Sequence, residues 1–115
     1  MKLTHTDAAG LRVITVAESR IDAAIAIAFK DKMRSLTDEA PSRVIVDMSH
    51  VDFVDSSGLG AIVACLKQVP DGTSLELASL TNTVAKVMRL TRMDSVFTIH
   101  ASVEAATGID IANAS

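Results

Sequence analysis

Ser56 is the side chain with the most chemistry within reach. It stands in Asp55-Ser56-Ser57-Gly58-Leu59-Gly60, beyond the apolar run Val44-Ile45-Val46-Asp47-Met48 and a connecting stretch that opens at Ser49. A buried strand that passes through a polar turn into a glycine-bearing helix leaves a hydroxyl at a helix N-terminus, where unpaired N–H groups carry roughly half a positive charge. Such a hydroxyl can cap the helix, act as a nucleophile, or carry an added phosphate that the helix end tolerates. Capping is the common use of these residue types, and spacing alone does not separate it from the other two. Gly58 and Gly60 have no side chains beside the serine, which would let a foreign backbone or nucleotide approach closely.

A serine hydrolase is disfavoured, because the nucleophile elbow needs glycine two residues before and two after the serine, and Val54 fills the first place. The candidate bases His5, His50 and His100 fall in strands or at strand ends. One cysteine and three scattered histidines show no metal-ligand spacing, so no metal site is expected. Neither the Lys-Ser or Lys-Thr phosphate loop nor the three-glycine dinucleotide pattern is present. The residues therefore predict a binding protein without catalytic residues and without a cofactor of its own.

The composition sets the frame in which that turn must sit. With 115 residues the chain is long enough for one domain, 1–115, with its own core. Hydrophobic residues make up 49%, but Trp and Tyr are absent and Phe occurs three times, so the core must be aliphatic, as in α/β packing. Fourteen acidic against eleven basic side chains give a net charge of −3, which argues against nucleic acid as a ligand. Cys65, the single cysteine, can form no internal disulfide and sits in an apolar helical stretch, consistent with a reducing cytoplasm. MKLTHTDAAG lacks the apolar run of a secretory signal, and the longest apolar stretch, Leu59 to Leu66, is too short to cross a bilayer. A cytoplasmic protein outside the membrane is expected.

The elements follow from periodicity. Lys2 to Thr6 and Leu11 to Val16 predict a hairpin across Asp7-Ala8-Ala9-Gly10. Asp22 is expected to cap a helix whose core stripe is Ile25, Phe29, Met33 and Leu36, ending before Pro41. Arg43 to Met48 reads as a central strand covered on both faces. A second helix over Gly58 to Val69, with Ser56 as its cap, carries Leu59, Ile62, Val63 and Leu66 inward, and Pro70-Asp71-Gly72 turns the chain. Ser74 to Ala78 alternates as a strand. Thr81 or Thr83 then caps a helix with Val84, Val87, Met88 and Thr91 inward and Lys86, Arg89 and Arg92 outward. A strand at Val96 to Ile99 and a short helix over Ser102 to Thr107, stopped by Gly108 before a frayed end, complete the order. The order β-β-α-β-α-β-α-β-α predicts a mixed sheet of four to five strands with parallel crossovers, and about four helices mainly on one face.

Asp55-Ser56-Ser57-Gly58-Leu59-Gly60, preceded by Val-Ile-Val-Asp and by Phe53 two residues before Asp55, closely resembles the central signature of the STAS domains. Among them it is most similar to the bacterial anti-sigma factor antagonists, and the resemblance extends over essentially the whole chain. It implies partner switching: the unphosphorylated antagonist binds an ATP-binding serine-kinase anti-sigma factor and frees a sigma factor, until the kinase phosphorylates it. A metal-dependent serine phosphatase would reset the cycle. On this resemblance Ser56 is the phosphoacceptor, with Ser57 the second choice, and Asp22, Asp55, Ser56, Ser57, Gly58, Leu59 and Gly60 form the partner-facing set. Where the family often has Gly-x-x-Asp, this chain has Ser19-Arg20-Ile21-Asp22, and its docking face is aliphatic. The alternative is a STAS scaffold that is not phosphorylated, in a stressosome or a lipid-transport ATPase complex.

Overall fold

The structure, a computed structural model, describes residues 1–108. The chain runs β1 (Leu3–Ala8), β2 (Leu11–Val16), β3 (Arg20–Ile21), α1 (Ala26–Thr37), β4 (Arg43–Asp47), β5 (Phe53–Val54), α2 (Ser56–Gln68) and β6 (Ser74–Ala78). It continues through α3 (Asn82–Leu90), a 3-10 turn (Met93–Ser95), β7 (Ile99–His100) and α4 (Val103–Thr107). Five strands make a mixed sheet in the order β1-β2-β4-β6-β7. The β1–β2 pair is antiparallel and the other pairs are parallel. β3 and β5 form a separate parallel ladder of two residues each.

The hairpin is tighter than its sequence predicts. β1 extends to Ala8, and only Ala9 (φ 54°) and Gly10 (φ 77°) turn the chain, as a two-residue loop with positive φ at both positions allows. Val44, Ile45 and Val46 are all buried because β4 is covered on both faces. Val44 and Val46 pack with Phe29 and Met33 of α1, Ile62 and Cys65 of α2, and Val84 and Met88 of α3. Ile45 packs with Leu11, Val13, Ala78 and Ala106, so α4 lies on the opposite face from the other three helices. Burying a side chain such as Phe29 stabilises the fold by about 1.5–3 kcal/mol, and it is this two-sided burial that holds β4 as the platform for the turn that follows it.

A polar cluster ties α4 to the sheet. Glu76, buried on β6, receives Nε and one terminal N–H of Arg43 at 3.0 and 2.7 Å, the Ser74 hydroxyl at 2.8 Å, and shares a hydrogen bond with His100 Nε2 at 2.8 Å. Arg43 also donates to the Ala106 carbonyl at 3.0 Å, which anchors the last helix. Arg43 above all, then His100 and Ser74, outweigh burial and hold the Glu76 carboxyl at about 2.

Three sequence expectations need correction. Asp22 does not cap α1: the helix starts at Ala26 after Ile25, which makes no side-chain cap, because a turn from Asp22 to Ile25 intervenes. Thr91 points outward rather than into the core, and its hydroxyl donates to the Val87 carbonyl at 2.7 Å. Of the expected strand Val96 to Ile99 only Ile99 pairs, together with His100, since the 3-10 turn at Met93–Ser95, entered through Arg92 at φ 61°, takes up the chain before it. Phe97 is nevertheless buried in the main core. Thr81, rather than Thr83, caps α3, accepting from Val84 N–H at 3.4 Å. Ser102 caps α4, and Gly108 (φ 75°) closes it as expected. The frayed end expected beyond Gly108 lies outside the described residues.

Candidate functional site

The turn between β5 and α2 is built around Asp55. Its backbone is extended (φ −90°, ψ −176°), whereas Ser56 is already helical, so Asp55 and not Ser56 is the N-cap. The carboxylate is the stronger acceptor, and Oδ1 takes the Gly58 N–H at 2.8 Å. Oδ2 reaches across to the Ala23 N–H at 3.1 Å and so ties the loop after β3 to the start of α2. The Gly58 N–H is the largest cause that holds the Asp55 carboxyl below its ordinary range, with help from the Ala23 and Ser57 N–H groups and the charge of Arg20.

With capping assigned to Asp55, the Ser56 hydroxyl is left exposed and has no hydrogen-bond partner among the described residues. Ser57 is exposed beside it. Gly60 is exposed as well, and a Cβ there would meet nothing within 4 Å. Leu59 is half-buried against the core. Gly58 is buried, and the backbone that approaches it is the chain's own: a Cβ there would lie 2.6 Å from the Ile21 carbonyl carbon. The missing side chain thus serves the β3–α2 junction rather than a foreign group.

Asp22 faces the same region. Its Oδ1 accepts from the Ala24 N–H at 3.1 Å, and its Oδ2 from Arg20 Nε at 3.2 Å. The Arg20 guanidinium lies over the Phe53 ring at 4.3 Å, and Phe53 is one of the few exposed large apolar residues, so the face expected to be aliphatic carries an aromatic ring. Arg20 was not among the site residues read from the sequence. The available signal was spacing: in the β3–β5 ladder Arg20 is opposite Phe53, and Asp22 and Asp55 follow each of them by two. Asp55, Ser56, Ser57, Asp22, Arg20, Phe53 and Gly60 thus meet at one end of α2. The Ser56 hydroxyl there is exposed and adjoins the Asp55 cap, on a helix start tied by Asp55 to the loop that carries Asp22.

The rest of the molecule offers little competing chemistry. Burial pushes the Cys65 thiol up to about 12, which leaves it a poor nucleophile. Among the described residues no group of three or more His, Cys, Asp or Glu could hold a metal ion, and no helix is long and apolar enough to cross a membrane.

The family profile described as the STAS domain matches residues 2–106. The chain belongs to the STAS domain family. Its fold recurs in an anti-sigma factor antagonist from Mycobacterium paratuberculosis, at a TM-score of 0.81 and 22% identity over 94% of this chain and 92% of that one. An anti-sigma factor antagonist STAS domain protein from Planctomyces limnophilus gives 0.79 and 19% over 90% and 92%. The Bacillus cell fate determinant SpoIIAA in its phosphorylated form gives 0.66 and 17% over 93% and 97%. In this STAS domain the signature residues from Asp55 to Gly60 form the N-cap and the first turn of α2, with Ser56, Ser57 and Gly60 exposed.

Proposed function

We propose that this STAS domain is an anti-sigma factor antagonist whose face at the start of α2 docks an ATP-binding serine-kinase anti-sigma factor and thereby frees a sigma factor. The kinase ends the contact by phosphorylating Ser56: the hydroxyl oxygen bonds to the γ-phosphorus of ATP, ADP leaves, and the hydroxyl proton passes to a base on the kinase. A serine phosphatase restores the docking form. The observation that carries this reading is the exposed and uncommitted Ser56 hydroxyl, with Asp55 capping the helix in its place. A protein of the same fold in a phosphorylated form supports it.

The charge argument gives the direction of the switch. A phosphate adds about −1.5 to −2 charges beside Asp55 and close to Asp22. Like charges about 4 Å apart cost roughly 1 kcal/mol in water and about 4 kcal/mol at an intermediate dielectric. One or two such pairs across an interface lower affinity by about ten- to a thousandfold. Because Asp55 already holds the backbone, the modification changes the surface and leaves the fold in place, so amide NMR shifts are expected only around Ser56.

Incubation with ATP and the serine kinase encoded nearest to this chain, followed by peptide mass spectrometry, tests the proposal. One phosphate on Ser56, absent from Ser56→Ala, is the expected result. No incorporation with a kinase that is otherwise active would instead favour the scaffold alternative.

A further inference from the structure

Arg20 stands at the junction of the two short strands with most of its guanidinium uncommitted. Nε donates to Asp22 Oδ2 at 3.2 Å, while neither terminal amine has a hydrogen-bond partner among the described residues. The side chain is 59% exposed and lies over the Phe53 ring at 4.3 Å. The register sets Arg20 opposite Phe53, and Ser56 follows Phe53 by three residues. Asp55 joins the two segments through the Ala23 N–H at 3.1 Å, and the charge of Arg20 reaches the Asp55 carboxyl.

Building on the switch proposed above, we infer that Arg20 is the positioning residue of the phosphorylated state: its guanidinium leaves Asp22 Oδ2 and closes on the phosphoryl oxygens of Ser56. Two physical facts favour the exchange. A phosphoryl group carries about −1.5 to −2 charges against one on Asp22, so at equal distance it attracts the cation up to about twice as strongly. Its three oxygens also match the two-pronged guanidinium, which now spends a single N–H on Asp22. The exchange has a consequence beyond the phosphate itself. Asp22 loses its counter-ion and Phe53 its cover, so the surface offered to a partner changes at Asp22 and Phe53 as well as at Ser56.

The test installs phosphoserine directly at Ser56, without a kinase, in the wild-type chain and in Arg20→Gln and Arg20→Lys. The second ionisation of the phosphate is followed by phosphorus NMR, and the Arg20 Nε resonance by proton–nitrogen NMR. The inference predicts that Arg20→Gln moves the phosphate ionisation up by roughly half a pH unit or more. Arg20→Lys, which keeps the charge but not the fork, should move it less, and the Nε resonance should shift when phosphate is present. Identical titration curves in all three proteins would overturn the inference. Partner binding separates this from the underlying reading. If phosphorylated wild type fails to bind the kinase while the curves coincide, Arg20 is not the positioning residue and the switch stands. If phosphorylated wild type binds as well as the unmodified chain, the switch itself fails.

Discussion

The carbonyl of Ile21 occupies the space where a side chain on Gly58 would begin, with its carbon 2.6 Å from the place of a Cβ. The end of β3 therefore rests directly on the first turn of α2. That contact, with the Asp55 bond to the Ala23 N–H, brings Asp22 and Arg20 to the same surface as Ser56.

Gly58 and Gly60 should respond oppositely to alanine. Gly58→Ala must displace backbone rather than a flexible side chain and is expected to cost about 1–3 kcal/mol or more. Gly60 is helical and its Cβ would meet open space, so Gly60→Ala should stabilise by about 0.5–1 kcal/mol. Urea unfolding of the two variants against wild type checks both signs, and a neutral Gly58→Ala would refute the close approach.

Asp55 should matter through both of its oxygens. Asp55→Asn keeps an acceptor for the Gly58 N–H but gives up the charge, whereas Asp55→Ala leaves the Gly58 and Ala23 N–H groups without a partner on this side chain. The alanine variant is expected to melt at the lower temperature of the two. Because folding lowers the Asp55 pKa below 3.8, its stabilisation is fully present above that value and fades as pH falls through the folded pKa. Melting curves at neutral pH and in acid should show wild type losing its advantage over Asp55→Asn in acid only.

Glu76 predicts a separate acid sensitivity in the cluster that anchors α4. Its carboxyl falls from 4.5 to about 2 on folding, so its contribution is complete above 4.5 and is lost as pH drops toward 2. Half-exposed Arg43 tempers the cost of losing the charge, and Glu76→Gln should destabilise by about 2 kcal/mol at neutral pH. The variant should also show a flatter loss of stability below pH 4.5 than wild type. Equal acid profiles in denaturant titrations would contradict the role of the cluster.

Much of this architecture was legible in the sequence because it is written in strong local signals. The apolar run at β4, the stripes of α1 and α2, and the Ser102 and Gly108 boundaries of α4 each followed from residue type and period. The β3–β5 ladder was not, because two residues per strand carry no periodicity and the pairing is set by the tertiary contact of Ile21 with Gly58. For the same reason Asp22 read as a helix cap and Arg20 was passed over: both roles come from what lies across the ladder, not along the chain. At the signature a helix start was legible but its cap was not assigned correctly, since Asp55 rather than Ser56 has the cap and leaves the Ser56 hydroxyl free. The strand expected at Val96 shrank because the turn entered at Arg92 uses the residues that would have lengthened it.

The most direct measurement is calorimetric titration of the ATP-binding serine kinase with wild type, Ser56→Ala and Ser56→Asp, each before and after incubation with ATP. Wild type should bind and then lose affinity once phosphorylated, Ser56→Ala should bind and stay bound, and Ser56→Asp should bind at least about tenfold more weakly from the start. Equal affinity for all three proteins in both conditions would contradict the account.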